Sequence, residues 1–144
     1  MSTVITCRYL GDLETEARHE GSATRLRTDA PLDNNGKART FSPTDLLATA
    51  LGTCLLTIMG ITARNHGFAL ESCGADVVKT MSTTPPRRVE SLAARVALPK
   101  GLSSHQRQLL MQAALHCPVM NSIGPGIKIT MEFLNHLNDG PAEK

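Results

Sequence analysis

The sequence has no tryptophan, and three phenylalanines with one tyrosine hold its aromatic share to 3%. Surfaces that take up single strands stack bases on aromatic faces, and four rings offer few. Excess charge is also scarce. Fifteen lysines and arginines against thirteen acids leave a formal net charge of +2, too balanced for the basic stripe that a phosphate backbone requires. Nucleic acid is not an expected partner. Met1 to Leu10 lacks the basic stretch, apolar run and small-residue cleavage site of an export signal. The apolar-rich stretch from Leu46 to Ile61 contains Thr49, Thr53 and Thr57 and falls short of the about 20 residues that a spanning helix needs. The expectation is a cytoplasmic chain with no membrane segment, in which Cys7, Cys54, Cys73 and Cys117 are thiols. No pair of cysteines has C-x-x-C spacing and no pair of histidines has metal-ligand spacing, so neither a metal nor a cofactor is expected.

What is present is a globular composition: 144 residues, 41% of them hydrophobic. A chain of that length can bury roughly 70% of its unfolded surface in one core. One domain over residues 1–135 is expected, with a polar tail at 136–144. Val4–Tyr9 and Leu13–Arg18 read as a hairpin around Gly11-Asp12, followed by a short alternating piece at Arg25–Arg27. Asp29 to Arg39 is a loop long enough to carry function.

Ser42-Pro43-Thr44-Asp45 is the clearest helix start. Ser42 can cap, Pro43 suits the first helical position, and Asp45 completes a capping box. The helix should run to about Asn65, with Gly67 as a left-handed cap. Apolar side chains nearly encircle it, and one small sheet cannot cover that much surface, so a second copy of the chain is expected to cover the rest. The Thr49, Thr53, Thr57 stripe either faces a polar space or bonds back to its own helix.

Glu71–Met81 and Val89–Leu98 read as a second hairpin, and Ser103 with Gln106 opens a second helix that should break near His116. Ile127–Phe133 alternates as a half-buried strand. This order is α+β, with helices on antiparallel sheets.

Cys7 and Cys73 read as small apolar fillers. Cys54 sits mid-helix, where burial ordinarily leaves a thiol inert, whereas Cys117 precedes Pro118 at a helix N-terminus that should favour a thiolate. Periodicity alone leaves both open between packing and function.

The run from Phe41 through Ser42-Pro43-Thr44-Asp45 to Cys54, with the cysteine eleven residues after the proline, resembles a signature of the OsmC/Ohr family. Leu115-His116-Cys117-Pro118-Val119, 63 residues further on, resembles the second signature. Elements between them match too, so the similarity covers nearly the whole chain. The resemblance implies an OsmC-like fold and an intertwined homodimer with active sites at the subunit interface. It also implies a two-cysteine thiol peroxidase acting on organic hydroperoxides. Cys54 would attack the peroxide and become a sulfenic acid, and Cys117 would condense with it to a disulfide that an external dithiol reduces. The family's thiolate-holding arginine would be Arg18, in Glu16-Ala17-Arg18-His19-Glu20, with Arg39 in reserve. One departure matters: the family's hydroperoxide reductases place a glutamate directly after the proline, where this chain has Thr44, followed by Asp45. That departure favours a second reading, a non-enzymatic protein binding a small apolar or electrophilic molecule in the interface pocket. A Cys-His hydrolase would need His66 or His116 as base, and neither lies in a nucleophile motif.

Overall fold

The computed structural model describes residues 1–137. The chain divides into two compact units, Met1–Leu47 and the part from Ala48 onward. The expected single domain thus consists of two units, and most of the expected polar tail lies outside the described residues.

The first unit is a three-stranded antiparallel sheet of β1 (Ile5–Gly11), β2 (Glu14–His19) and β3 (Arg25–Asp29), in that order. The β1–β2 turn passes through Gly11, Asp12 and Leu13, all with positive φ. Register sorts the side chains, because directly opposed residues share a face. Cys7, Ala17 and Leu26 are opposed, flanked by Ile5 and Tyr9; Thr6, Arg18 and Arg25, with Arg8, Glu16 and Arg27, form the other face. The apolar face is open in a single chain: Ile5 is 51% and Tyr9 67% exposed. Cys7 shares this face and is exposed, so the filler reading fails for it within one chain.

The helix α1 (Pro43–Asn65) begins as its sequence dictates. Ser42 N–H donates to Asp45 Oδ2 at 2.7 Å, and Asp45 N–H donates to Ser42 Oγ at 3.1 Å. It ends on Gly67 with φ of 72°. There the Gly67 and Phe68 N–H groups reach back to the Arg64 and Ala63 carbonyls, satisfying the helix C-terminus. Thr53 and Thr57 donate their hydroxyls to the carbonyls of Thr49 and Thr53 at 2.8 and 2.9 Å, which settles those two as back-bonded.

The second unit carries most of α1 together with β4 (Gly74–Met81), β5 (Val89–Ala97), α2 (Ser104–Ala114), α3 (Pro118–Ser122) and β6 (Lys128–Leu134). Its core is Leu51, Leu55 and Met59 of α1, Leu92 and Val96 of β5, Leu98, and Leu110 and Ala114 of α2. Gly52 is needed for this packing, since a Cβ there would lie 3.1 Å from Val77 Cγ2. The sheet order is β4-β5-β6. β4 and β5 are antiparallel, but β6 runs parallel to β5. The fold is α+β as expected, with this one pair departing from antiparallel because the α2–α3 crossover returns the chain in the same direction.

Over an 18-residue window α1 has a mean hydropathy of 1.9 with 33% of the window buried. Its 23 residues are long and apolar enough to cross a membrane by length and composition, correcting the expectation drawn from the shorter stretch 46–61. Its buried stripe, Ala48, Leu51, Gly52, Leu55, Met59 and Ala63, is that of a helix packed on one side.

Candidate active site

Cys54 lies on α1 and Cys117 is the N-cap of α3, and the two thiols are near enough for Cys54 to act on the ionisation of Cys117. Local sequence explains the second position. Pro118 stops α2 from continuing and starts α3, so Cys117 falls at the corner between them. Cys117 is fully buried, whereas Cys54 is partly exposed.

Burial pushes the Cys117 thiol up, and the neighbouring Cys54 thiol pushes the same way. The N–H groups of Met120 and Val119 pull it down and are outweighed. This corrects the expectation of a favoured thiolate at Cys117: desolvation of a fully enclosed sulfur exceeds what one short turn of helix offers. Cys73 is likewise raised by burial, which suits a packing role.

Arg18 occupies the middle of β2 on the charged face of the first unit, opposite Thr6 and Arg25. Its Nη1 donates to Glu20 Oε2 at 2.9 Å, while its Nε is buried with no hydrogen-bond partner among the described residues. The side chain borders a depression of about 50 Å³ shared with Thr6, Arg8, Glu16, Glu20 and Arg25. Thr44 Oγ1 and Ser42 Oγ lie 3.0 Å apart, and Asp45 is committed to the cap.

Arg39, the reserve arginine, is engaged elsewhere. Its Nε donates to Asp29 Oδ2 at 2.8 Å, its backbone N–H reaches the same oxygen at 3.0 Å, and it also pairs with Glu14 and Asp12. Asp29 is fully buried. The function expected of the loop is thus mechanical: Arg39 and Asp29 close it at its base. Sequence reading passed over Asp29, although an acid and an arginine bracketing a loop were its signal.

The Arg39 guanidinium and backbone N–H hold the Asp29 carboxyl at about 2, below its ordinary 3.8. A depressed folded-state value means stability that is present above the unfolded value and lost as pH falls through the folded one. Denaturant unfolding of the wild type should therefore weaken from about pH 4 down to about pH 2. Asp29→Asn should be less stable at neutral pH and lose that part of the acid dependence; an unchanged acid profile would remove Asp29 from the clasp.

The histidines are occupied locally. Nδ1 of His66 lies 2.9 Å from the Thr62 carbonyl and Nδ1 of His116 lies 2.8 Å from the Gln112 carbonyl. A carbonyl only accepts, so each Nδ1 carries the proton. Among the described residues no group of three or more His, Cys, Asp or Glu is placed to hold a metal ion.

Residues 35–132 match the family model described as OsmC-like protein. The chain belongs to the OsmC family. A chain of 40% identity is solved from Psychrobacter arcticus 273-4, a protein named for osmotic stress induction and a detoxification response. The alignment covers 93% of this chain and 96% of that one, with a TM-score of 0.82. At 17% identity, the OsmC-like protein of Mycoplasma pneumoniae aligns over 93% and 96% with a TM-score of 0.78. The organic hydroperoxide resistance protein OsmC of Legionella pneumophila, also at 17%, aligns over 92% and 96% with a TM-score of 0.73. These two share the OsmC-like fold. No curated protein matches the sequence significantly.

Proposed function

We propose that this OsmC-family chain is a thiol peroxidase that reduces organic hydroperoxides through Cys54 and Cys117. The observation that carries the reading is that two thiols 63 residues apart in sequence are brought near enough for Cys54 to act on the ionisation of Cys117. The Cys54 thiolate attacks the terminal peroxide oxygen: an S–O bond forms, the O–O bond breaks, and the alkoxide takes a proton from water. Cys117 S–H then attacks the sulfenic sulfur, forming the disulfide while hydroxyl and proton leave as water. An external dithiol returns both thiols and is itself oxidised. No metal or bound cofactor enters these steps, and a reducing cytoplasm would supply the dithiol. The hydroperoxide resistance in the name of the Legionella pneumophila protein supports the substrate class.

Stoichiometric cumene hydroperoxide should convert the reduced protein to one with a Cys54–Cys117 disulfide, while Cys7 and Cys73 stay alkylatable. Peptide mapping reads this directly. Both Cys54 and Cys117 alkylatable after treatment would remove the two-cysteine mechanism.

The same reading includes a homodimer. In α1 only 33% of the apolar window is buried within one chain, and the open apolar face of the first sheet adds Ile5, Tyr9 and Leu26. Faces of this extent mark association surfaces. Light scattering at micromolar concentration should give twice the 15.5 kDa chain mass; a stable monomer would contradict it. Arg18 would serve the thiolate at the subunit interface.

Thr44 and the committed Asp45 favour one alternative, a binding protein that holds a small apolar or electrophilic molecule beside Cys54. It predicts no peroxide loss when the reduced protein is given peroxide and dithiol.

A further inference from the structure

The first sheet gathers its charges on one face, and they do not balance there. Register sets Arg8, Glu16 and Arg27 abreast, with Thr6, Arg18 and Arg25 abreast in the neighbouring row. Arg25 Nη1 donates to Glu16 Oε1 at 2.5 Å, and Arg18 Nη1 donates to Glu20 Oε2 at 2.9 Å. Both carboxylates are thereby engaged, whereas Arg8 and Arg27 have no ion pair among the described residues. Four guanidiniums against two carboxylates leave an excess as large as the formal net charge of the whole chain. Arginine does not shed its proton in a protein, so the excess is permanent.

Three of these guanidiniums meet over a hollow. Arg8, Arg18 and Arg25 line the depression of about 50 Å³, and Thr6, Glu16 and Glu20 complete its wall. One water takes about 30 Å³ in the liquid, so the space suits a single small group and not a whole organic molecule. Arg18 also has a buried Nε with no hydrogen-bond partner among the described residues, and a buried donor left without an acceptor is unfavourable. The unengaged nitrogens of Arg8 and Arg18 are donors only, so their complement is a small acceptor with negative charge. We propose that this depression is a subsite for a free oxyanion of the phosphate class, held by Arg8, Arg18 and Arg25. Its occupant would share Arg18 with the Cys54 thiolate and so restrain turnover, a consequence that rests on the peroxidase reading; the subsite itself does not.

The test is calorimetric titration of the reduced full-length protein with sodium phosphate, beside sodium chloride at equal ionic strength. Phosphate should bind saturably and chloride should not. Arg8→Met should weaken phosphate binding by about tenfold or more, the effect of losing a charged hydrogen-bond donor. Arg27→Met removes the same charge from the same face but outside the depression, and should weaken binding less than about threefold, as screening of exposed charges implies. Neither substitution breaks an ion pair of the described residues, and circular dichroism checks that both variants fold. Phenyl phosphate, which carries the same group on a larger body, should bind no more tightly than inorganic phosphate; tighter binding would overturn the free ion as occupant. Phosphate heats that match chloride, or equal losses in the two arginine variants, would overturn the subsite. Peroxide assays separate the two ideas: phosphate binding without any peroxide loss keeps the subsite and rejects the peroxidase, while turnover without phosphate binding does the reverse.

Discussion

Replacing Cys54 by serine should lower dithiol-dependent turnover of cumene hydroperoxide by ~10³-fold or more, the scale on which removing an enzyme nucleophile acts. The reason is chemical. A serine hydroxyl at the same place is not ionised near neutral pH and cannot be oxidised to a sulfenic acid, so the first step has no substitute. Cys117→Ser should behave differently. It leaves Cys54 able to consume one equivalent of peroxide, after which turnover slows because the sulfenic acid has lost its internal partner. Equal losses in the two variants from the first equivalent onward would deny the division of labour between the sulfurs. Full activity in Cys54→Ser would take the nucleophile's role away from Cys54, whereas no peroxide loss in the wild type would leave the binding reading in possession of the site.

Arg18→Met should cost about 10²-fold in turnover, comparable to removing one preorganised donor from a charged transition state, while changing stability by only about 0.5 kcal/mol. The Arg18–Glu20 pair is partly exposed, at 41% and 35% for the two side chains, and such pairs contribute little to folding. Methionine keeps most of the apolar stem and removes the guanidinium, so activity and stability separate. The measurement is the rate of peroxide loss beside a denaturant midpoint. Wild-type turnover in Arg18→Met would take the arginine out of the mechanism, because Arg39 is already bound to Asp29.

Features decided within a few residues were legible in the sequence. Ser42, Pro43 and Asp45 dictate a cap that forms as read, Gly67 ends α1 in the left-handed region, and Ser103 with Gln106 repeats the capping box at α2. The two cysteines were found through the spacing of their signatures rather than through periodicity. What sequence did not reveal depends on direction or environment. The parallel pairing of β6 with β5 is set by how the crossover returns, which alternation in residues 127–133 cannot encode. The raised Cys117 thiol follows from its complete enclosure and from Cys54, 63 residues earlier in the chain, whereas local helix geometry alone suggested the opposite. That α1 is long and apolar enough to cross a membrane by length and composition was missed because only its apolar middle, 46–61, was weighed rather than the whole helix.

The parallel join between β5 and β6 also bears on how the protein is made. Synthesis proceeds from the N-terminus, so Cys54 emerges from the ribosome well before Cys117. The corner that positions Cys117 belongs to the crossover between β5 and β6, and that crossover is closed only when the last described strand pairs. Until then Cys54 has no internal partner, and the nascent chain carries a lone thiol on an apolar helix. Assembly of the proposed redox pair therefore waits on the last described strand, and a chain that ends before Lys128 would possess both cysteines without the strand that holds the crossover closed.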